Sequence, residues 1–297
     1  MKNRLVAALL VILSTGLIFT GCKSNKDDKT EVSIPESSSI SVEEVEEVEE
    51  EEVEEEKLYN ISFTVEGANE TGPISGAEVR IKYDNLIEGC VTSDDGSVTI
   101  TNLEPRDYEI ECSADGFYDR KFEIKITDED KKYVIGLVPE ISNDDAMVLL
   151  TWRGDQDVDL CAFNSTVKEY VNIGHPIDSE ENVFLYADHD ASQPYELIYI
   201  HNASDEVART FYVTEAKNAR EGATSKMEED GVSVSVYNNK GLIYYTVAPN
   251  TQNAPLWIPF YLYAGDVYEQ NDFVLDATGD DYNWISYNEK DAYTETN

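Results

Sequence analysis

The sequence predicts a mainly β protein: two β-sandwiches placed after an apolar N-terminal segment and an acidic spacer. Three observations carry this. Tyr, Val, Ile and Thr are abundant, with 19 Tyr in 297 residues, and such residues fit pleated, half-buried strands. From Tyr59 onward apolar and polar residues alternate in short runs, the period of a strand with one buried face. Clusters of Gly, Asp, Asn and Pro punctuate those runs, as turns between antiparallel strands require.

The chain opens with Lys2 and Arg4, continues as an apolar run through Phe19, and ends that run with Thr20-Gly21-Cys22. A basic tip, an apolar core too short for a typical span and small residues before a cut site read as a secretory signal. The Thr-Gly-Cys ending resembles the lipobox of bacterial lipoproteins. That resemblance implies lipid attachment at Cys22, which becomes the mature N-terminus of an extracytoplasmic, membrane-anchored protein (on the outer membrane if the cell is Gram-negative). Phe19 stands where the lipobox usually carries Leu. The plainer alternative is an ordinary signal peptide with a coincidental cysteine.

Residues 23–57 are expected to form a disordered, extended spacer. Ser24 to Ser41 is polar, and Glu43 to Glu56 is nearly continuous Glu, broken by Val45, Val48 and Val53. Like charges three and four apart oppose a helix and swell a coil. The whole chain carries 61 Asp and Glu against 22 Lys and Arg, a formal charge of −39. Such a chain repels phosphate backbones and anionic lipid surfaces, which argues against nucleic-acid binding. Hydrophobic residues still make up 41%, enough for packed cores outside the tails.

Residues 58–139 form the first expected sandwich. Ile61, Phe63 and Val65 share one face, as do Val79 and Ile81 beyond the turn at Gly72 to Gly76. Asp94-Asp95-Gly96 is a turn; Val98 and Ile100, then Tyr108, Ile110 and Cys112, form inward rows. Phe122, Ile124 and Ile126 and then Val134 to Val138 supply the last strands. The order Gly-Ala-x-Val-x-Ile, Thr-x-Asp-x-Gly-x-Val-x-Ile, Leu-x-Pro-x-x-Tyr-x-Ile and Gly-Phe-Tyr resembles prealbumin-like domains. These include carboxypeptidase regulatory-like domains and bacterial pilin-type stalk modules. Arg106 departs from the usual Gly after the Pro. Cys112 stands where isopeptide-forming modules carry a Glu, and the first strand offers no inward Lys, so no internal cross-link is expected. The resemblance is to an accessory module and implies no catalysis.

Residues 144–275 form the second. Strands are expected at Met147 to Trp152, Val183 to Tyr186, Tyr195 to His201 and Phe211 to Val213. The hairpin VSVSVY–NNKG–LIYYTV follows, then Leu256 to Tyr263 and Val267 to Leu275. Pro259 marks an edge strand or a bulge, and Thr214 to Asp230 reads as a polar loop. LLTW with DVDL, YELIYIHNAS, the hairpin and LWIPFYL together resemble the YfaP-like family. It is found on bacterial lipoproteins and surface proteins, which implies an extracytoplasmic β-sandwich without an assigned activity. Arg153 after Trp152, and Cys161 in place of the family's His, depart from its pattern. Residues 276–297 form an acidic tail.

With Cys22 reserved for lipid, Cys90, Cys112 and Cys161 allow at most one disulfide, and small buried residues of a sheet are the simpler reading. Asp155, Asp157 and Asp159 recur at every second position, and Asp188 and Asp190 form a second acidic pair. If their loops converge, these five carboxylates would suit a hard cation, calcium above all; if not, they form a solvated edge. A softer set, Asp159, Cys161 and His201, would suit zinc only if their strands adjoin. Trp257, Tyr261, Tyr263 and Tyr268 fit either a sugar-stacking platform or ordinary core and cross-strand pairs. Arg153-Gly154-Asp155 spells an adhesion tripeptide, a coincidence within the Asp-rich segment. No nucleophile elbow, zincin motif or phosphate-binding loop occurs. The expected function is non-catalytic binding or scaffolding at the bacterial cell envelope, through a glycan or protein ligand. Carbohydrate binding is the main alternative, and an envelope hydrolase comes third.

Overall fold

In the computed structural model, residues 57–215, 226–250, 254 and 256–274 are described. Cys22, the Ser- and Glu-rich spacer up to residue 56 and the tail from 275 lie outside the described residues. Within them the chain is all strand and turn, in four sheets that pair off as two sandwiches.

The first sandwich holds β1 (Tyr59–Gly67), β2 (Gly72–Pro73), β3 (Glu78–Tyr83), β4 (Leu86–Val91), β5 (Ser97–Leu103), β6 (Asp107–Ser113), β7 (Arg120–Lys125) and β8 (Lys131–Leu137). One sheet runs β2-β1-β5, with β8 parallel to β1 on its other side; the second runs β4-β3-β6-β7. Alternation fixes the faces. Ile61, Phe63 and Val65 of β1 meet Val79 and Ile81 of β3 and Ile110 and Cys112 of β6, all without solvent exposure. Ile100 and Tyr108 join them, while Val98 is half-buried. Polar groups stay outside: Glu111 lies between Lys82 and Lys121, which hold its carboxyl down to about 2. Cys90 and Cys112 both sit opposite Val79, one on each side of β3. They are therefore two strand spacings apart, about 10 Å, beyond disulfide reach.

The second sandwich holds β9 (Ala146–Thr151), β10 (Asp159–Asn164), β11 (Glu169–Val171), β12 (Val183–Ala187), β13 (Tyr195–Ile200), β14 (Arg209–Thr214), β15 (Ser233–Asn238), β16 (Gly241–Val247), β17 (Leu256–Tyr263) and β18 (Asp266–Val274). Its sheets run β12-β13-β9-β15-β16 and β11-β10-β14-β17-β18. Val148 and Leu150, Ile198 and Ile200, Phe211 and Val213, and Trp257 and Phe260 fill the space between them. β17 is an interior strand, so Pro259 is not at an edge. It sits instead where the β17–β18 register slips between Ile258 and Phe260, a bulge that needs no donor from the proline.

β9 is buried on both faces, which explains its unbroken apolar run. Met147 and Leu149 turn from the second core toward the first sandwich and pack with Val138, Ile141, Tyr195, Leu197 and Tyr237. The Tyr118 hydroxyl donates to the Asn238 carbonyl at 2.7 Å and accepts from the Ile141 N–H at 2.9 Å. Gly136 is needed at this contact: a Cβ would lie 2.9 Å from the Tyr195 ring. The two sandwiches thus share an apolar seam closed by directional bonds.

Candidate metal centre

β13 carries one acidic residue, Glu196, on the same face as Ile198 and Ile200, which line the core. Its side chain is 1% exposed. Oε2 accepts the Leu160 N–H from β10 at 2.6 Å, tying one sheet to the other. Oε1 is fully buried and has no hydrogen-bond partner.

Two aspartates converge on it. Asp159 opens β10, between buried Val158 and Leu160. Asp188 directly follows β12. The β12–β13 ladder pairs Leu185 with Ile198 but Ala187 with Leu197, a bulge of one residue at Tyr186. Without it Asp188 would continue the ladder opposite Tyr195; the slip aligns it with Glu196 instead, a common use of a bulge. Carboxylate oxygens of Asp159, Asp188 and Glu196 lie within 4.8 Å of one another, and no other such group of three His, Cys, Asp or Glu occurs among the described residues. Burial, then the charges of Asp159 and Asp188, push the Glu196 carboxyl well above the usual carboxylate range. Chemically, the arrangement can hold a proton among three carboxylates or a hard cation between them.

Of the five aspartates singled out in the sequence, Asp159 and Asp188 are thus brought together. Asp155 is exposed and accepts from Gln156 Nε2 at 2.8 Å. Asp157 is exposed and outside the three-carboxylate group. Asp190 is exposed and shapes its own turn: the Ser192 hydroxyl and N–H hold its carboxyl below the usual range. The segment 153–158 is loop, so Asp155 and Asp157 do not share a strand face with Asp159. Glu196 is the residue that period and motif reasoning missed. The available signal was a lone Glu two and four positions before core isoleucines, in a strand otherwise apolar on both faces.

The zinc set is not assembled. Cys161 is buried with Leu256 and Tyr212. His201 follows the far end of β13 from Glu196, its Nδ1 3.0 Å from Asp145 Oδ1. The aromatic platform loses Trp257, which is fully buried in the core. Tyr261 and the exposed Tyr268 are a stacked cross-strand pair with centroids 4.8 Å apart. Arg153-Gly154-Asp155 is tied into the fold. The Arg153 N–H donates to the Asp230 carbonyl and its guanidinium to the Glu123 carbonyl. Gly154 lies so close to Asp230 that a Cβ would collide with the carboxylate.

Residues 60–135, within the first sandwich, match the carboxypeptidase regulatory-like domain. No curated protein matches the chain. Among solved structures it is similar to catechol 1,2-dioxygenase from Acinetobacter sp., at 10% identity and TM-score 0.25. That match covers 31% of this chain and 55% of the dioxygenase, so the chain spans about half the enzyme's length. A Bacteroides uniformis protein described as carbohydrate-binding shares 11% identity over 64% of this chain and 97% of its own, TM-score 0.25. BcpA, the major pilin subunit of Bacillus cereus, shares 12% over 64% and 67%, TM-score 0.27. Superpositions this loose carry no information on ligand or activity.

Proposed function

We propose that this chain is a non-catalytic bacterial surface lipoprotein, held to the membrane at Cys22, whose two sandwiches bind or scaffold at the cell envelope. One observation carries the reading: Lys2 and Arg4, the apolar run and Thr20-Gly21-Cys22 in the order that lipid attachment requires. The accessory character of the module at residues 60–135 supports a role without catalysis. The seam between the sandwiches supports a head that acts as one piece. The order of LLTW, DVDL, YELIYIHNAS and LWIPFYL supports a YfaP-like second half. Two acyl signals anchor far more firmly than one. Cys22→Ser should therefore move the protein from the membrane fraction to the exported, wash-off fraction. Retention of the variant in washed membranes contradicts the reading.

Glycan binding is the second reading, now resting on Tyr261, Tyr263 and Tyr268 without Trp257. The parallel Tyr261–Tyr268 stack, with Tyr268 40% exposed, is the feature that favours it. Binding of wall glycans that is lost in Tyr268→Ala would support it over protein scaffolding.

A further inference from the structure

We propose that Asp159, Asp188 and Glu196 form a calcium site in the second sandwich. An acidic cluster alone would be no argument in a chain this acidic. The independent observation is Glu196 Oε1, an oxygen sealed from solvent with no hydrogen-bond partner, on a carboxylate that meets those of Asp159 and Asp188 and comes within hydrogen-bonding reach of Asp188. A buried acceptor left unpaired is costly, and a cation is the partner that also relieves the repulsion among three carboxylates. The donors are all carboxylate oxygens, which select hard ions over zinc or copper. Oxygens that all lie within 4.8 Å of one another can share one ion with bonds of about 2.4 Å, the calcium range. Magnesium demands near-ideal octahedral geometry and dehydrates reluctantly, so a cage of protein carboxylates suits it less. Three carboxylates leave positions for water, so an affinity of about 10⁻⁴ to 10⁻³ M is expected, as in extracellular modules.

The site lies where a cation would matter to the fold. Glu196 already joins β13 to β10 through Leu160, and Asp188 ends β12. An ion would clamp both sheets at one end of the sandwich. Such a clamp would act whether or not Cys22 carries lipid. The competing account is a carboxyl proton shared between Glu196 and Asp188, with no ion at all. Glu196→Gln preserves the shape of that arrangement while removing a ligand charge.

The test is thermal unfolding of the full chain in chelator, in calcium, in magnesium and in sodium of equal ionic strength. It is run on wild type, Glu196→Gln and Asp188→Asn. Calcium at about a hundredfold excess over its dissociation constant should raise the wild-type Tm by about 5–10 °C. Magnesium should do so by less than half as much, and sodium should not reproduce the rise. Both variants should lose most of the gain; the Glu-rich stretch, intact in all three proteins, contributes equally and subtracts out. If Glu196→Gln does not fold, Asp188→Asn decides alone. No calcium-specific gain in wild type, or an equal gain in the variants, overturns the proposal.

Discussion

The two sandwiches solve the same packing problem with different interiors. Eleven polar or charged residues are buried among the described residues, and only Thr92 belongs to the first sandwich. The other ten, from Asp145 to Ser233, belong to the second, as do all seven buried side-chain N or O atoms without a partner. In the first sandwich alternation keeps charges out of the core, and outer ion pairs such as Arg80–Glu78 contribute little; the exception is Arg120, whose guanidinium is buried and donates to the Gly136 carbonyl. In the second, Glu196, Arg209, Asp178 and Asp145 are carried inside and must be satisfied by specific partners. A sandwich can be held together with very few buried polar side chains, as the first one is. Where they gather and one stays unpaired, ligand binding is the physical reason to look for.

The comparison can be broken first by truncation. Arg209 has no exposed surface, and Asp205 grips it with both carboxylate oxygens at 2.7 and 2.8 Å. Asp205→Ala strands that charge and should cost about 3–5 kcal/mol. Adding Arg209→Met should recover much of it. In the first sandwich Phe63→Ala should cost a similar amount through a cavity beside Tyr133, about 3–5 kcal/mol, and no polar second change should rescue it. Denaturant unfolding of the three variants measures both. A double variant no better than Asp205→Ala would show that the buried charge is not the source of the cost.

The seam comes next in size. Tyr118→Phe leaves the Asn238 carbonyl and the Ile141 N–H unpaired, a loss of about 1–3 kcal/mol. Proteolysis between residues 138 and 146 should become faster while each core remains folded. An unchanged digestion rate would mean that the apolar contacts suffice.

The smallest effect depends on pH. Burial, then the neighbouring Glu215 charge, lifts the Asp230 carboxyl to about 6 against an ordinary 3.8. A raised folded pKa in an acid means that the folded state bears a penalty above pH 6. The penalty shrinks as pH falls and is gone below about 3.8. Asp230→Asn should therefore raise Tm at pH 7.5, with the gain vanishing near pH 4. A pH-independent gain would point to packing instead.

Much of this was legible from residues alone, for reasons that differ between the halves. Ile61, Phe63 and Val65, or Tyr108, Ile110 and Cys112, alternate against solvent-facing polar neighbours, so period 2 placed them correctly. β4 was not, because Leu86, Ile87 and Val91 are exposed at a sheet edge and follow no inward pattern. The acidic loops drew attention to Asp159 and Asp188. Their spacing could not separate these from Asp155, Asp157 and Asp190, because convergence depends on the bulge at Tyr186 and on which strands adjoin. Glu196 stayed hidden because β13 is covered on both faces. Tyr195 and Leu197 meet the first sandwich and Ile198 and Ile200 the core, so no exposed face remained against which to judge it.

The most direct test of the claim that the second interior is built around a cation is amide hydrogen exchange of the full chain, with and without calcium. Bound calcium should slow exchange roughly tenfold or more at residues 158–160 and 186–197, including the Leu160 amide that Glu196 accepts. Exchange across 59–137 should stay unchanged. Equal rates with and without calcium in those two segments, or slowing spread evenly over both sandwiches, would contradict it.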